Sequence, residues 1–259
     1  MELGLEGAAC IVTGAGGAIG AATSAALATE GARVLLVGRR AETLDAAAAG
    51  CGGAAETLAC DVAAADAAGR VTAHCVSRFG QIDAFVHCAG STAFRPLPEL
   101  TEQDLEQQWN INVLALFRFL QVVLPHMAER GSGSIVSVAS VAGRRQSPTN
   151  IAYGATKSAQ IALVRGFAEA YAGRGVIVNS VLPGPVDASM WWEVNRQAAA
   201  ARDTSFESLT EAGIAALPRR ALGSPEEIAS VIAFLASPLA ANVAGSAWTV
   251  DGGATAQIF

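Results

Sequence analysis

The chain has little charge and no excess of basic residues. Only 15% of its 259 residues are charged, and the formal net charge is −6, with an isoelectric point near 5.1. That balance offers no footprint for nucleic acid or for an anionic membrane surface. Five cysteines, Cys10, Cys51, Cys60, Cys75 and Cys88, are odd in number and match no zinc or CxxC spacing. We read them as reduced, mostly buried thiols of a cytosolic protein, and no metal site is expected. Apolar runs such as VLLV at 34–37 are far shorter than the roughly 20 residues that a membrane-spanning helix needs. The opening MELGLEGAACIVTG has no basic segment followed by a long apolar run, so no signal peptide is expected. No internal repeat and no linker-like stretch is found. Hydrophobic residues make up 52% of the chain, which excludes disorder.

What is there is a regular alternation. The length fits one large α/β domain or two small ones, and it suffices to bury most of the unfolded chain's surface. Short apolar or β-branched runs bounded by Gly, Asp or Pro predict strands at Ala8–Val12, Arg33–Val37, Glu56–Cys60, Ala84–Cys88, Ser134–Val138, Val176–Val181 and Ala247–Val250. Helical patterns fall between them, at Ile19–Glu30, Ala64–Phe79, Asp104–Glu129, Tyr153–Ala172 and Pro225–Ala236. Ser224 followed by Pro-Glu-Glu has the form of a capped helix start. Alternating strands and helices imply a parallel sheet covered on both faces. Right-handed crossovers make it doubly wound, with a ligand crevice beyond the carboxyl ends of the strands. The stretch 187–222, which contains Met190-Trp191-Trp192, breaks the rhythm. It reads either as a functional lid or as an extra surface helix pair.

After the first strand comes TGAGGAIG, Thr13 to Gly20. The glycines are Gly14, Gly16, Gly17 and Gly20, and a third glycine of a GxGxxG template would fall on Ile19. Such glycines permit a tight turn and close approach of the backbone to a pyrophosphate, which the next helix N-terminus then holds. A tight turn with no ligand is the alternative. Downstream, Tyr153 and Lys157 are spaced i and i+4, so on a helix they share a face. A free tyrosine has a pKa of about 10, and a nearby ammonium is expected to lower it toward the range that acid–base catalysis uses.

The glycine turn and the YxxxK pair about 140 residues later resemble the short-chain dehydrogenase/reductase family. The resemblance extends over nearly the whole chain. It takes in Asp61-Val62 after the third strand, Ala89-Gly90 after the fourth, Asn112 in WNINV, Ser140 in SVASVAG, Pro183-Gly184 after the sixth strand and VDGG at 250–253. It implies a single Rossmann-type domain over residues 1–259, with a seven-stranded parallel sheet and a substrate lid at about 187–222. It also implies that Tyr153 passes a proton to or from the substrate oxygen and that Ser140 hydrogen-bonds that oxygen. Lys157 would hold the nicotinamide ribose and tune Tyr153, and Asn112 would anchor a water relay. The cofactor would lie along Gly14, Gly16, Gly17, Ile19 and Gly20, with Asp61 and Val62 flanking adenine. Ala89, Gly90, Pro183, Gly184 and Val186 would complete its site. His87-Cys88-Ala89-Gly90 replaces a commoner Asn-Asn-Ala-Gly, and His87 is read as structural. Ala188, next to Ser189, replaces a threonine that relatives use to hold the carboxamide.

The second strand ends VLLVGRR. An acid at its end would favour NAD, and a positive group would accept the 2′-phosphate of NADP. Gly38 occupies the acidic position, and Arg39 and Arg40 follow, with donors suited to phosphate. We expect NADP(H) to be favoured over NAD(H), although arginines after a strand are often merely solvated. Trp191 and Trp192 could wall a pocket for a bulky or hydrophobic ketone or alcohol, or anchor the lid itself. Arg144 and Arg145 are read as a solvated loop. The leading expectation is an NADP(H)-dependent alcohol dehydrogenase or carbonyl reductase acting on a small molecule. The alternatives are an NAD-dependent enzyme working mainly in the oxidative direction and a non-catalytic nucleotide-sensing module. A homotetramer or homodimer is implied by the resemblance, with the helices around INVLALFRFLQVVL and Tyr153 as interface surfaces.

Overall fold

In the computed structural model, which describes residues 2–92 and 95–256, the seven expected strands all form one parallel sheet. They are β1 (Ala9–Thr13), β2 (Arg33–Gly38), β3 (Ala55–Ala59), β4 (Ala84–His87), β5 (Gly133–Val138), β6 (Val176–Pro183) and β7 (Ala247–Val250). Their spatial order is β3-β2-β1-β4-β5-β6-β7. The order reverses between β1 and β4, and a doubly wound sheet opens its ligand crevice beyond that point. Central strands such as β1 are buried along their whole length. That burial is why they read as continuous apolar runs rather than as alternation.

The helices are α1 (Ala18–Thr29), α2 (Ala41–Ala49), α3 (Ala67–Phe79), α4 (Glu102–Trp109), α5 (Ala115–Arg130), α6 (Ile151–Tyr171), α7 (Ser189–Ala201), α8 (Phe206–Ala215) and α9 (Pro225–Ala236). One core, on the side of α3, α5 and α6, includes Ile11, Phe85, Ile135, Val178, Phe119 and Val164. The other, on the side of α1 and α9, includes Val12, Val86, Val136, Val181, Leu27 and Ile232. Ser224 caps α9 reciprocally: its Oγ accepts from Glu227 N at 3.2 Å, and Glu227 Oε2 accepts from Ser224 N at 2.9 Å. Such a box satisfies two of the helix's otherwise orphaned donors.

The helix expected at Asp104–Glu129 is instead two helices joined by a π-turn, Asn110–Leu114. Hydrophobic periodicity does not register the extra residue that a π-turn inserts. By length and composition the combined run Glu102–Arg130 could cross a membrane, with mean hydropathy 1.5 over its most apolar window. Half of that window is buried, and Leu116, Phe119, Leu120, Val123 and Leu124 pack in the core. α2 has no counterpart among the expected helices. Its sequence AETLDAAAA buries only Leu44, so its apolar face is one residue wide.

Candidate active site

The carboxyl ends of β1, β4, β5 and β6 meet α1, α6 and α7 at a cleft of about 340 Å³. Its floor begins at the turn after β1. Gly14 has φ +68°, and a Cβ there would lie 2.7 Å from Ala89 N, so only glycine lets the exits of β1 and β4 pack backbone to backbone. Gly16 meets the Thr43 side chain of α2, and Gly20 meets Gly14 O. Packing therefore accounts for three of the four glycines. Gly17 is the N-cap of α1 and meets only Gly14 O, at an unstrained 3.4 Å. The first turn of α1 carries no side-chain cap. Gly14, Gly17, Ala18, Ile19 and Gly20 all border the cleft, which is the arrangement an anionic group needs.

Ser140, Tyr153 and Lys157 face the same cleft. Ser140 ends the segment after β5, and its Oγ accepts from Ala142 N at 3.1 Å. Tyr153 is half-buried on the first turn of α6. Burial raises its pKa, and a hydrogen bond from the Ser140 hydroxyl opposes that rise. Lys157, one turn on, is buried and donates to Val138 O at 3.0 Å. Burial lowers its pKa to about 7, with a smaller opposing influence from Cys88. The sequence led us to expect a phenol acidified by its neighbour. Instead, burial makes both charged forms costly, and Lys157 sits 5.5 Å from the ring centre with one proton committed to a carbonyl.

Asn112 lies in the π-turn, fully buried and outside the cleft wall. Its Oδ1 accepts from Ser91 N at 2.9 Å, and its Nδ2 donates to Ser91 O and to Thr156 Oγ1, both at 3.0 Å. Thr156 Oγ1 in turn donates to Tyr153 O at 2.8 Å. The amide therefore clamps the segment after β4 to the helix that carries Tyr153 and Lys157. Gly90 lies between them: a Cβ there would come 3.0 Å from Asn112 Oδ1 and 3.4 Å from Lys157 Nζ.

The remaining expected residues divide. Gly90, Pro183, Gly184 and Val186 border the cleft, and Ala89 packs beneath Gly14. Arg39 and Arg40 are exposed at the start of α2, beyond the cleft wall. A Cβ at Gly38 would lie 3.1 Å from Leu44 Cδ2, which leaves little room there for an acidic side chain. Asp61 is exposed, with Oδ1 accepting from Ala63 N at 3.0 Å, whereas Val62 is buried in the core. His87 is fully buried, bonded through Nδ1 to Thr13 Oγ1 at 3.0 Å, and its pKa is lowered to about 3 by burial and then by the charge of Lys157. Arg144 is exposed, as expected, and it also donates to Ala247 O and Thr249 Oγ1 of the edge strand β7.

The stretch 187–222 contains the helix pair α7 and α8. Its base is joined by Gly223 N donating to Pro185 O and Asp187 N donating to Gly223 O. The two tryptophans take different places. Trp191 borders the cleft. Trp192 does not: its Nε1 donates to Asp187 Oδ1 at 2.8 Å, and its ring meets Trp191 edge-on and Phe206 of α8. Cys88, Thr92 and Asn150 border the cleft without having been expected there, and Val141 and Val194 border it from the segment after Ser140 and from the 187–222 stretch. Val194 carried a further signal, lying at i+4 from Met190 and i+3 from Trp191 on one helix face.

The family model described as short chain dehydrogenase matches residues 8–199. The chain is 34% identical to a 3-oxoacyl-(acyl-carrier-protein) reductase FabG of Thermotoga maritima, covering 96% of this chain and 98% of that protein. It is 35% identical to a D-threitol dehydrogenase of Mycolicibacterium smegmatis, covering 97% and 94%. Its fold superposes with TM-score 0.92 and 27% identity, over the full length of both chains, on L-sorbose reductase from Gluconobacter frateurii complexed with NADPH and L-sorbose. The match over three-quarters of its length, together with these full-length relatives, makes the chain a member of the short-chain dehydrogenase family of oxidoreductases.

Proposed function

We propose that the chain interconverts a ketone and a secondary alcohol with NADP(H), as a carbonyl reductase or alcohol dehydrogenase. The observation that carries this reading is the convergence of Ser140, Tyr153 and Lys157 on a cleft that also receives the uncapped start of α1. The hydride is what a bound nicotinamide supplies. The chain's own residues do the rest. Tyr153, kept protonated by burial, donates its proton to the carbonyl oxygen in reduction and takes it back in oxidation. Ser140 holds the same oxygen and steadies the charge that develops on it. Lys157 would hold the ribose hydroxyls of a bound nicotinamide and, when protonated, favours the phenolate. Asn112 fixes the spacing between Gly90 and α6, and the water relay assigned to it remains part of this proposal.

Gly14, Gly17, Ile19 and Gly20 would line the pyrophosphate, with Gly16 shaping the turn. Ala89, Gly90, Pro183, Gly184 and Val186 would flank the rest of the cofactor, and Asp61 and Val62 the adenine. Arg39 and Arg40, with no carboxylate at Gly38, support a 2′-phosphate, as does the NADPH bound to the L-sorbose reductase neighbour. A preference for NAD is the second reading, favoured by the position of both arginines outside the cleft wall. A non-catalytic nucleotide sensor is a weaker third, since all four catalytic positions are intact. Val141, Met190, Trp191 and Val194 give the substrate side an apolar wall, which supports a bulky or hydrophobic substrate. Trp192 serves the lid instead.

We further propose one domain over residues 1–259, cytoplasmic, assembled as a homotetramer or homodimer. Exposed Leu105, Trp109 and Leu114 lie along the run from α4 to α5 and support an interface there. The test is a panel of ketones and alcohols followed by nicotinamide absorbance with each cofactor. Turnover with NADPH well above NADH is expected. A clear NADH preference overturns the cofactor assignment, and tight cofactor binding without any turnover overturns the enzyme.

A further inference from the structure

Beneath the cleft, on the α6 side of the sheet, lies a row of polar residues in a place where the sheet is otherwise apolar. Strand register pairs Thr13 with His87, His87 with Ser137, and Ser137 with Ser180. Partners in register point to the same face. That face is the one where Phe85, Ile135 and Val178, each two residues earlier on its strand, pack with Phe119 and Val164. All four polar residues are fully buried.

Gln160 lies on α6, the helix that packs on this face of the sheet. It falls between Lys157, whose Nζ reaches Val138 O, and Val164, which packs in the same core as Ile135 and Val178. At that level the sheet presents Ser137 and Ser180. Gln160 is also fully buried. Among the described residues, neither atom of its amide has a hydrogen-bond partner, and neither do Ser137 Oγ, Ser180 Oγ or His87 Nε2. Three side chains in register on the sheet and one on the helix packed against it thus hold five unpartnered polar atoms away from solvent.

Leaving these groups dry would cost each its full desolvation, and native interiors rarely accept that. His87, Ser137 and Ser180 share one face of the sheet in register, α6 packs on that face, and none of these side chains bonds another, so a bridging water can serve them all. Their chemistry agrees. Gln160 needs both a donor and an acceptor opposite it, the serines accept either, and His87 Nε2 is one or the other according to tautomer. A single molecule that both donates and accepts satisfies them all.

We infer that His87, Ser137, Gln160 and Ser180 form a binding site for internal water, directly below the anchor of Lys157. The water is separate from the cleft, because none of the four residues borders it. It ties the ends of β4, β5 and β6 to α6 one turn from Lys157. It also explains how a histidine is kept in the core as a neutral group with its second nitrogen satisfied.

The test is a crystal structure of the intact protein at a resolution that shows ordered water. Density is expected within hydrogen-bond distance of Ser137 Oγ, Ser180 Oγ and at least one of His87 Nε2 and the Gln160 amide. Direct bonds among these side chains with no density between them would overturn the inference. In solution, oxygen-17 relaxation dispersion counts long-lived waters. Ser180→Val, which fills the space with methyl groups, should lose at least one relative to wild type, and an unchanged count would also overturn it. If that variant does not fold, the wild-type density decides alone.

Discussion

The ammonium nitrogen of Lys157 lies 5.5 Å from the centre of the Tyr153 ring, one turn along the same helix. It donates not to the phenol but to Val138 O. Burial raises the pKa of the tyrosine and lowers that of the lysine, so each is driven toward its neutral form. A neutral phenol is a ready proton donor, which suits reduction. In the proposed mechanism oxidation needs the phenolate, and Lys157 and a bound cofactor would then supply the positive charge.

Tyr153→Phe removes the proton and keeps the ring. General acid–base groups contribute roughly 10²- to 10⁴-fold, so turnover should fall by that factor. The ring packing is retained, and titration of cofactor fluorescence should show binding within a few-fold of wild type. Full activity in this variant would sink the mechanism.

The convergence of Ser140, Tyr153 and Lys157 on one cleft was legible because the chemistry proposed for them depends on residue type at fixed spacing. A glycine turn, an asparagine, a serine, a tyrosine and a lysine rarely fall in that order and at those intervals by chance. The central strands were readable because both of their faces are buried, whereas the edge strands β3 and β7 are partly exposed. The π-turn at Asn112 was not, since it adds a residue without altering the apolar stripe that continues from Leu116 to Met127. The different fates of Trp191 and Trp192 were not readable either. Which of two adjacent rings faces the cleft depends on how α7 is rotated, and that is set by the bond from Trp192 to Asp187 and by Phe206. The polar row from Thr13 to Ser180 was also hidden, because strand order brings it together from four separate segments.

Arg39 is the test of cofactor choice. A charge-assisted hydrogen bond contributes about 1.5–3 kcal/mol, so Arg39→Ala should raise KM for NADPH by roughly 10- to 100-fold. KM for NADH should change little, because no 2′-phosphate is present to lose the contact. Equal effects on both cofactors would show that the arginine serves the fold or the solvent instead.

Cys88 is partly exposed in the cleft, whereas the other four cysteines are buried. Burial pushes its thiol up to about 12. The thiolate is the reactive form, so alkylation near neutrality should be slow and should quicken about tenfold per pH unit. Labelling followed by peptide mass analysis should find Cys88 modified first, and saturating NADPH should suppress it. Protection would show that the cofactor covers the exit of β4, and modification at an unchanged rate would place it elsewhere.

Two buried bases contribute to the pH dependence of stability. Lys157 has a folded pKa of about 7 against an ordinary 10.5, and His87 has about 3 against 6.5. Within each window the unfolded chain holds the extra proton, so stability rises with pH there. The His87 contribution is complete above 6.5 and is lost as pH falls toward 3. The Lys157 contribution is smallest below 7 and grows toward 10.5. Urea midpoints followed across pH should therefore climb through the acidic window and from 7 toward 9; above 9 the buried thiols of Cys10, Cys75 and Cys88, whose pKa burial raises from 9.0, oppose the lysine, because the unfolded chain holds fewer protons at those groups. Lys157→Met should flatten the alkaline climb and His87→Asn the acidic one, whatever either does to absolute stability. An acidic climb that persists undiminished in His87→Asn would assign acid sensitivity to carboxylates instead, with Asp83 the first to examine, since its pKa is lowered by hydrogen bonds from Ala9 N, Arg130 and Gln81 that outweigh the opposing effect of burial.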